Sequence, residues 1–396
     1  MRRNFALLFV AVLLMIIYGS LFPFQFLARP GDPLASLLST WDQFSSRGDV
    51  LVNIILYLPL GFFAAGSLLN LTLWRRIVLV TTGGLWLSVG MELAQFYDIG
   101  RQSSMSDVYA NTAGAFFGAF AGSLLGEEIS WAGFGRLRRR PFLGLLLACW
   151  AGYRLFPYVP VIDLHKYWHA VRPLITDRSV SLADWYRHMA IWLALAEMLG
   201  ELAGVAWKRV AIWGALVAVT LARILILGIV LSRAEIAGGL VAASLWSLFL
   251  VHRRAEAPII AVVFAAGVVL QGLAPFDFIS TPHASVWIPF AGFLNGSLTV
   301  NMLSFFEKMF LYGALVWLAV RAGIGWGPAT VLGCLLVFCI RLAQTYLPDR
   351  SADMSDVVML LLLSAAAQLM GENPGRAGPG IQLVRPIKGT GLSANP

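Results

Sequence analysis

Arg101-Gln-Ser-Ser-Met-Ser-Asp-Val108 returns almost unchanged as Arg350-Ser-Ala-Asp-Met-Ser-Asp-Val357. Each copy lies between long apolar runs, in a chain that is 59% hydrophobic with a mean hydropathy of +0.76. A polar motif of the form Arg-x-x-x-Met-Ser-Asp does not recur by accident in so apolar a background. The recurrence predicts an all-α membrane protein built from internal repeats, and it marks where each repeat keeps its polar chemistry.

Working outward, apolar runs long enough to cross a bilayer core recur along the whole chain. They fall at about 5–24, 50–70, 77–97, 107–125, 142–158, 188–206, 210–231, 236–251, 258–275, 302–320, 328–347 and 356–370. The expected fold is a polytopic transmembrane helical bundle of about twelve spans. Charged residues make up only 13% of the chain, and no soluble domain of ordinary size fits between the runs.

The basic residues set the expected orientation. With the N-terminus inside, 16 of the 29 Lys and Arg fall on inside segments, among them Arg2, Arg3, Arg75, Arg76, Arg136, Arg138, Arg139 and Arg140. The net charge of +8 is then a cytoplasmic-loop signature, with both termini cytoplasmic. It is not a nucleic-acid footprint, because no basic run lies on a face with interleaved aromatics. Arg2-Arg3 and the apolar run after it could pass for a signal peptide. However, Gly19-Ser-Leu-Phe-Pro-Phe-Gln-Phe26 is echoed by Gln271-Gly-Leu-Ala-Pro-Phe-Asp-Phe278 at the end of an internal span, so the first helix is expected to be retained.

The echo extends over four spans. Pro23 and Pro275 are 252 residues apart, Leu56-Tyr57 and Leu311-Tyr312 are 255 apart, and Leu93-Ala-Gln95 and Leu342-Ala-Gln344 are 249 apart. Arg101 and Arg350, and Asp107 and Asp356, are also separated by 249. A near-constant offset implies a duplicated four-helix unit, and an even helix number makes the copies parallel. Leu155-Phe-Pro-Tyr-Val159, Arg223 and Ser232-Arg-Ala-Glu235 suggest a degenerate copy between them. The expected organisation is three parallel four-helix repeats at 1–130, 140–254 and 256–371. The remainder, 372–396, reads as a disordered Gly- and Pro-rich tail.

In the first repeat the polar residues share helix faces: Asp49 with Asn53, Glu92 with Gln95, and Asp107 with Asn111. Helix direction brings them, with Arg101 on the short connecting loop, toward one outward-facing pocket. Ionisable groups at membrane depth are costly unless paired or hydrated, which makes these seven residues ligand-binding candidates. The structural alternative is that Asp107 or Ser106 caps a helix and that Asn53 and Asn111 bond between helices. The second-repeat equivalents are Arg341, Gln344, Arg350, Asp353 and Asp356. There Arg341 stands where Glu92 stood, and Leu360 replaces Asn111. Gly114, Gly118 and Gly122 form a small-residue stripe for close helix packing. Pro59 and Gly61 suggest a kink in the second span. The spans hold three acids, Glu92, Glu197 and Glu201, and three bases, Arg154, Arg223 and Arg341, so Glu92 is expected to face Arg341 or Arg223 across a threefold-like axis.

His165 and His169 are spaced for one helix face, but no third ligand lies nearby in sequence, and neither a metal nor a cofactor is expected. Cys149, Cys334 and Cys339 lie in apolar spans and read as small buried hydrophobes. The nucleotide-binding, nucleophile-elbow and zinc-protease motifs are missing from the sequence, so the reading leans away from an enzyme without settling it, and no catalytic residue is assigned.

Asp49-Val-Leu-Val-Asn-Ile-Ile-Leu-Tyr-Leu-Pro-Leu-Gly61, Glu92-Leu-Ala-Gln95, Arg101 and Asp107-Val-Tyr-Ala-Asn-Thr-Ala-Gly114 together resemble the VanZ-like family of bacterial membrane proteins. The resemblance is strong over about 15–125, and 275–370 looks like a diverged second copy. It implies a multi-pass inner-membrane protein of the cell envelope. The family's named member is associated with teicoplanin resistance, an antibiotic-resistance role that need not transfer. The expected function is recognition or modification of an envelope-associated ligand at the outer leaflet, a lipid-linked glycan or a lipoglycopeptide. The alternatives are a secondary transporter, which a midplane cavity lined by Glu92, Arg223 and Arg341 would favour, and a membrane scaffold for envelope proteins.

Overall fold

The computed structural model describes residues 2–22, 24–43, 45–98, 102–126, 140–176, 181–204, 206–251, 256–283, 287–294, 298–348, 350 and 353–372. Arg101 and the stretch 373–396 therefore lie outside the described residues. A helix stands at each of the expected apolar runs. The first four are α1 (Arg2–Leu21), α3 (Arg47–Ser67), α4 (Leu73–Gln95) and α5 (Met105–Gly126), with a short α2 (Pro33–Leu38) between the first two. Next come α6 (Pro141–Arg154), the short α7 (Leu164–Val171) and α8 (Pro173–Thr176), then α9 (Leu182–Ala203), α10 (Lys208–Leu225) and α11 (Arg233–Leu245). The last set is α12 (Glu256–Leu273), the short α13 (Ala291–Leu294), α14 (Leu298–Arg321), α15 (Trp326–Gln344) and α16 (Ser355–Leu369).

Among the described residues, seven helices are long and apolar enough to cross a membrane. They are Asn4–Leu21, Gly48–Ser67, Leu73–Gln95, Arg233–Leu250, Glu256–Leu273, Val300–Arg321 and Trp326–Gln344. The chain is an all-α, multi-pass membrane protein. Its side chains are arranged for lipid: on α4, Trp74, Val78 and Trp86 are exposed while Ser88 and Glu92 are buried. In hydrocarbon the polar groups must turn inward and the apolar ones outward, the reverse of a surface helix in water.

Two packing units result. Ile16, Tyr57, Leu60 and Ala115 form one core, and Ala64, Ala65, Val80 and Ala119 a second below it, both within the first four helices. The rest share a single larger core that includes Phe142, Trp192, Trp246, Phe264, Phe310 and Trp317. The first unit is closed by its glycines. A methyl group placed on Gly114, Gly118 or Gly122 would collide with the backbone carbonyls of Ile54, Leu58 and Phe62, and one on Gly61 with that of Ala115. Backbone contact along almost the whole length of α3 and α5 follows from that small-residue stripe. α3 runs through Pro59 without interruption.

One corner geometry follows α1, α6 and α12, and Phe290 after Pro289 shares its left-handed backbone with φ of 64°. Phe24, Tyr158 and Phe276, each directly after a proline, have left-handed backbone with φ of 63°, 59° and 72°. The peptide bonds before Pro157 and Pro275 are cis. Beyond each corner a backbone N–H donates to the end of a later helix: Leu27 to Tyr97 O, Val161 to Leu225 O and Ile279 to Tyr346 O. These bonds pin the exit of α1, α6 and α12 to the exit of α4, α10 and α15. The corners, Asp107, Glu235, Asp356 and the N-termini of α3, α5, α9, α11, α14 and α16 thus gather at one end of the bundle, the corner end.

Candidate functional site

At the corner end the chemistry differs sharply between the last four long helices and the first four. In the last set Asp356, in the first turn of α16, is fully buried. Burying a lone carboxylate in an apolar surround is prohibitive, so it is compensated three ways. Lys308 Nζ of α14 lies 2.9 Å away, the Arg341 guanidinium of α15 pairs with it, and the Tyr312 hydroxyl donates to it. Arg341 also donates to Tyr312 Oη at 2.9 Å and to the Gln344 side-chain oxygen. Above this group Asp353 accepts from the Ser355 N–H at 2.8 Å, closing the start of α16.

The middle set follows the same plan. Glu235, in the first turn of α11, is buried and takes both Arg223 of α10 and Arg154 of α6. Arg223 also donates to Val230 O at 3.0 Å. The Ser232 hydroxyl accepts from the Glu235 N–H at 3.1 Å and caps the helix.

In the first set the acid in the first turn of α5 is Asp107, and among the described residues no base pairs with it. Its neighbours are neutral or acidic. Ser45 Oγ donates to it at 3.3 Å, the side chains of Asn53 and Ser104 lie beside it, and the Asp49 carboxylate is close by. Asp49 is fixed at the start of α3 by Ser46, whose hydroxyl donates to it at 2.7 Å. Glu92 of α4 is buried and accepts the Ser104 N–H at 2.8 Å, while the Ser103 hydroxyl donates to the Glu92 main-chain oxygen at 2.7 Å. One helical turn further in, Asn111 Nδ2 donates to Ser88 Oγ at 2.9 Å. Tyr57 lies beside Ser88 and within electrostatic reach of Glu92. Tyr57 is 1% and Asn111 6% exposed; the Tyr57 hydroxyl has only Ser88 beside it, and Asn111 Oδ1 has no hydrogen-bond partner among the described residues.

The described members of the expected pocket therefore separate into two groups. Asp49, Asn53, Glu92, Asp107 and Asn111 line one polar column that descends from the corner end between α3, α4 and α5. Gln95 turns away: its amide donates to Ser20 O at 2.8 Å and so holds the end of α1. Gln344 does the same for Gly272 O at 2.7 Å. Arg350 donates to Ala274 O at 2.9 Å, so it secures the last proline corner. Arg101 lies outside the described residues. The column ends inside the unit, because immediately below Asn111 the glycine stripe brings α5 onto the backbone of α3.

One expectation is corrected. Glu92 does not meet Arg341 or Arg223 across an axis, since each of those arginines is taken up by the acid of its own helix set, Asp356 or Glu235. Glu197 and Glu201 find their bases elsewhere. Arg321 binds both acids, with Arg321 Nε 3.0 Å from Glu197, and Arg140 lies 3.6 Å from Glu201. That cluster sits at the end opposite the corners and includes Glu372, which is buried and 3.0 Å from Arg140, so the ordered fold reaches past α16. His165 and His169 stack edge to face on α7 with ring centroids 4.5 Å apart. Of the three cysteines, Cys149 is buried in the core and Cys339 is exposed on a helix face.

Sequence reading missed Tyr57 and Ser88 as members of the column and Lys308 and Tyr312 as partners of Asp356. It also missed Asp98, a fully buried carboxylate that accepts the Gln25 N–H at 3.2 Å beside the first corner.

Compared with known families, residues 5–126 match the family model described as VanZ/LLP1. This stretch is the first four-helix set and contains every residue of the polar column. No curated protein and no solved structure matches the chain. The molecule is thus a multi-pass membrane protein with a VanZ-like stretch at its N-terminal end.

Proposed function

We propose that the chain is an inner-membrane protein of the bacterial cell envelope, with both termini cytoplasmic, which recognises an envelope-associated ligand at the outer leaflet. The ligand class is a lipid-linked glycan or a lipoglycopeptide, and the binding groups are Asp49, Asn53, Glu92, Asp107 and Asn111. Twelve spans in three parallel four-helix repeats carry the site, and the second and third repeats serve as its frame. The distribution of basic residues supports the orientation, because Arg75, Arg76, Arg140, Lys208, Arg209 and Arg321 all stand away from the corners.

One observation carries the reading. Asp356 and Glu235 are neutralised by bases of their own repeats, while among the described residues Asp107 meets hydroxyls, an amide and another acid but no base. An acid near membrane depth with no base beside it among the described residues is a candidate for serving a ligand. A carrier would need a route through the midplane. Arg223 and Arg341, the residues proposed to line one, are instead engaged in ion pairs, and the column is blocked beneath Asn111. A scaffold would have no use for an internal polar column.

The reading is tested by extracting the full chain in mild detergent and identifying the retained lipid or glycan by mass spectrometry. The wild-type protein and Arg350→Ala are expected to carry the ligand, and Asp107→Ala to lose it at matched protein level. Equal retention in all three would remove the site from the first repeat.

A further inference from the structure

The floor of the column is chemically incomplete. Asn111 offers a buried amide oxygen without a partner among the described residues, and Tyr57 a buried hydroxyl whose side-chain contact is Ser88, already the acceptor of the Asn111 amide. Leaving the Asn111 oxygen unmatched in an apolar interior is costly, on the order of 1–3 kcal/mol. Tyr57 and Asn111 lie on different helices, α3 and α5, and converge on Ser88 of α4. Asp107 stands one turn above Asn111 on the same face of α5, and no base pairs with it among the described residues.

The last repeat displays what such a set can hold. Tyr312 is the counterpart of Tyr57, 255 residues on, and Asp356 the counterpart of Asp107, 249 residues on. Between Tyr312 and Asp356 sits a cationic nitrogen, Arg341 Nη2, which donates to both. Lys308 supplies a second cation from the position that Asn53 holds in the first repeat. The same tyrosine and aspartate in the first repeat are left without Arg341 or Lys308, because their counterparts are Glu92 and Asn53.

We infer that the first-repeat column binds a primary ammonium group, which takes the place that the Arg341 nitrogen fills in the last repeat. This deepens the ligand reading above and rests on it. An ammonium carries three N–H donors and no acceptor. Tyr57 Oη, Asn111 Oδ1 and the Asp107 carboxylate are three acceptors on that column. A guest without N–H groups, such as a quaternary ammonium or a polyol, would leave Asn111 Oδ1 or the carboxylate without its donor or charge. The amine could be the head group of an aminophospholipid or a soluble amine such as an amino sugar.

The test is native mass spectrometry on the full chain in detergent, offered equal amounts of phosphatidylethanolamine, phosphatidylcholine and phosphatidylglycerol with identical acyl chains. The wild-type protein is expected to retain phosphatidylethanolamine in preference to the other two. Tyr57→Phe and Asn111→Leu, the latter taking the residue found at 360, are expected to lower that retention about tenfold each, the scale of one charge-assisted hydrogen bond. Tyr57→Phe removes only a hydroxyl whose side-chain contact is Ser88, so its melting temperature should stay close to the wild-type value, which keeps the test valid if Asn111→Leu folds poorly. Added ethanolamine that displaces the lipid assigns the site to soluble amines; failure to displace it assigns it to the head group. Equal retention of phosphatidylethanolamine and phosphatidylcholine, or retention untouched by Tyr57→Phe, overturns the inference. If phosphatidylglycerol is retained instead and is lost in Asp107→Ala, the outer-leaflet reading survives and only the amine is wrong.

Discussion

The Tyr312 hydroxyl donates to the Asp356 carboxylate between α14 and α16, a bond that Tyr57 and Asp107 do not make between α3 and α5. One pair is locked by Arg341 and Lys308, and the other has no base beside it among the described residues. That contrast is the ground for the site proposed in the first repeat.

Removal of Asp356 should be far more damaging than removal of Asp107. Asp356→Ala strands two bases, Lys308 and Arg341, in an apolar surround, at an expected cost of about 3–5 kcal/mol. Asp107→Ala deletes contacts with the Ser45 and Ser104 hydroxyls and the Asn53 amide at a partly exposed site and strands no base among the described residues, with an expected cost of about 1–2 kcal/mol. Thermal unfolding in detergent checks the ranking, and a lower melting temperature for Asp107→Ala would refute it.

At the opposite end, Arg321 is the shared partner of Glu197 and Glu201, and Glu197 is 1% exposed. Arg321→Ala should destabilise by about 3–5 kcal/mol, and Arg321→Lys, which keeps the charge but not the fork, should recover part of it. Yield of monodisperse protein by size-exclusion chromatography reports the effect. A wild-type yield for Arg321→Ala would mean that the cluster does not hold α9 to α14.

The glycine stripe allows a paired comparison. Gly118→Ala puts a methyl group into the Leu58 carbonyl, so α3 and α5 must separate at an expected cost of about 1–3 kcal/mol. Gly83→Ala on α4 meets nothing within 4 Å and should be neutral or gain slightly through helix propensity. Melting temperatures that fall equally for both would show that the close approach at Gly118 carries no weight.

Orientation is open to cysteine labelling in a background free of Cys149, Cys334 and Cys339. Gln102 and Asn70 are both exposed, at opposite ends of the first unit. Gln102→Cys is expected to react with an impermeant maleimide in intact spheroplasts, and Asn70→Cys only after lysis. The opposite pattern would place the column at the cytoplasmic face.

Much of the helix order could be read from the sequence, because a bilayer demands runs of a fixed length and the recurrent proline–aromatic corner marks where three of them end. The column was legible in Asp49, Asn53, Glu92, Asp107 and Asn111, whose spacings place them on shared faces. Gln95 was misplaced for a physical reason: it sits in the last turn of α4, where free carbonyls of a neighbouring helix end are nearer than the carboxylates. The partner of Arg341 was misjudged because equivalence between repeats was taken as a guide to contact. The pairing instead joins the end of one helix to the start of the next, with Arg223 and Glu235 12 residues apart. Asp98 gave no signal at all, since its counterparts by corner register, Ile226 and Leu347, are apolar and no repeat marks it.

The central claim, an open ligand site in the first repeat, is tested most directly by photo-crosslinking in intact cells. A photoreactive residue is placed at Asn53, inside the column, and separately at Phe117, an exposed position on the outer face of α5. The expected result is that the Asn53 probe captures one envelope-derived species that the Phe117 probe does not, and that Asp107→Ala abolishes its capture. Recovery of the same bulk-lipid mixture from both positions would contradict the claim.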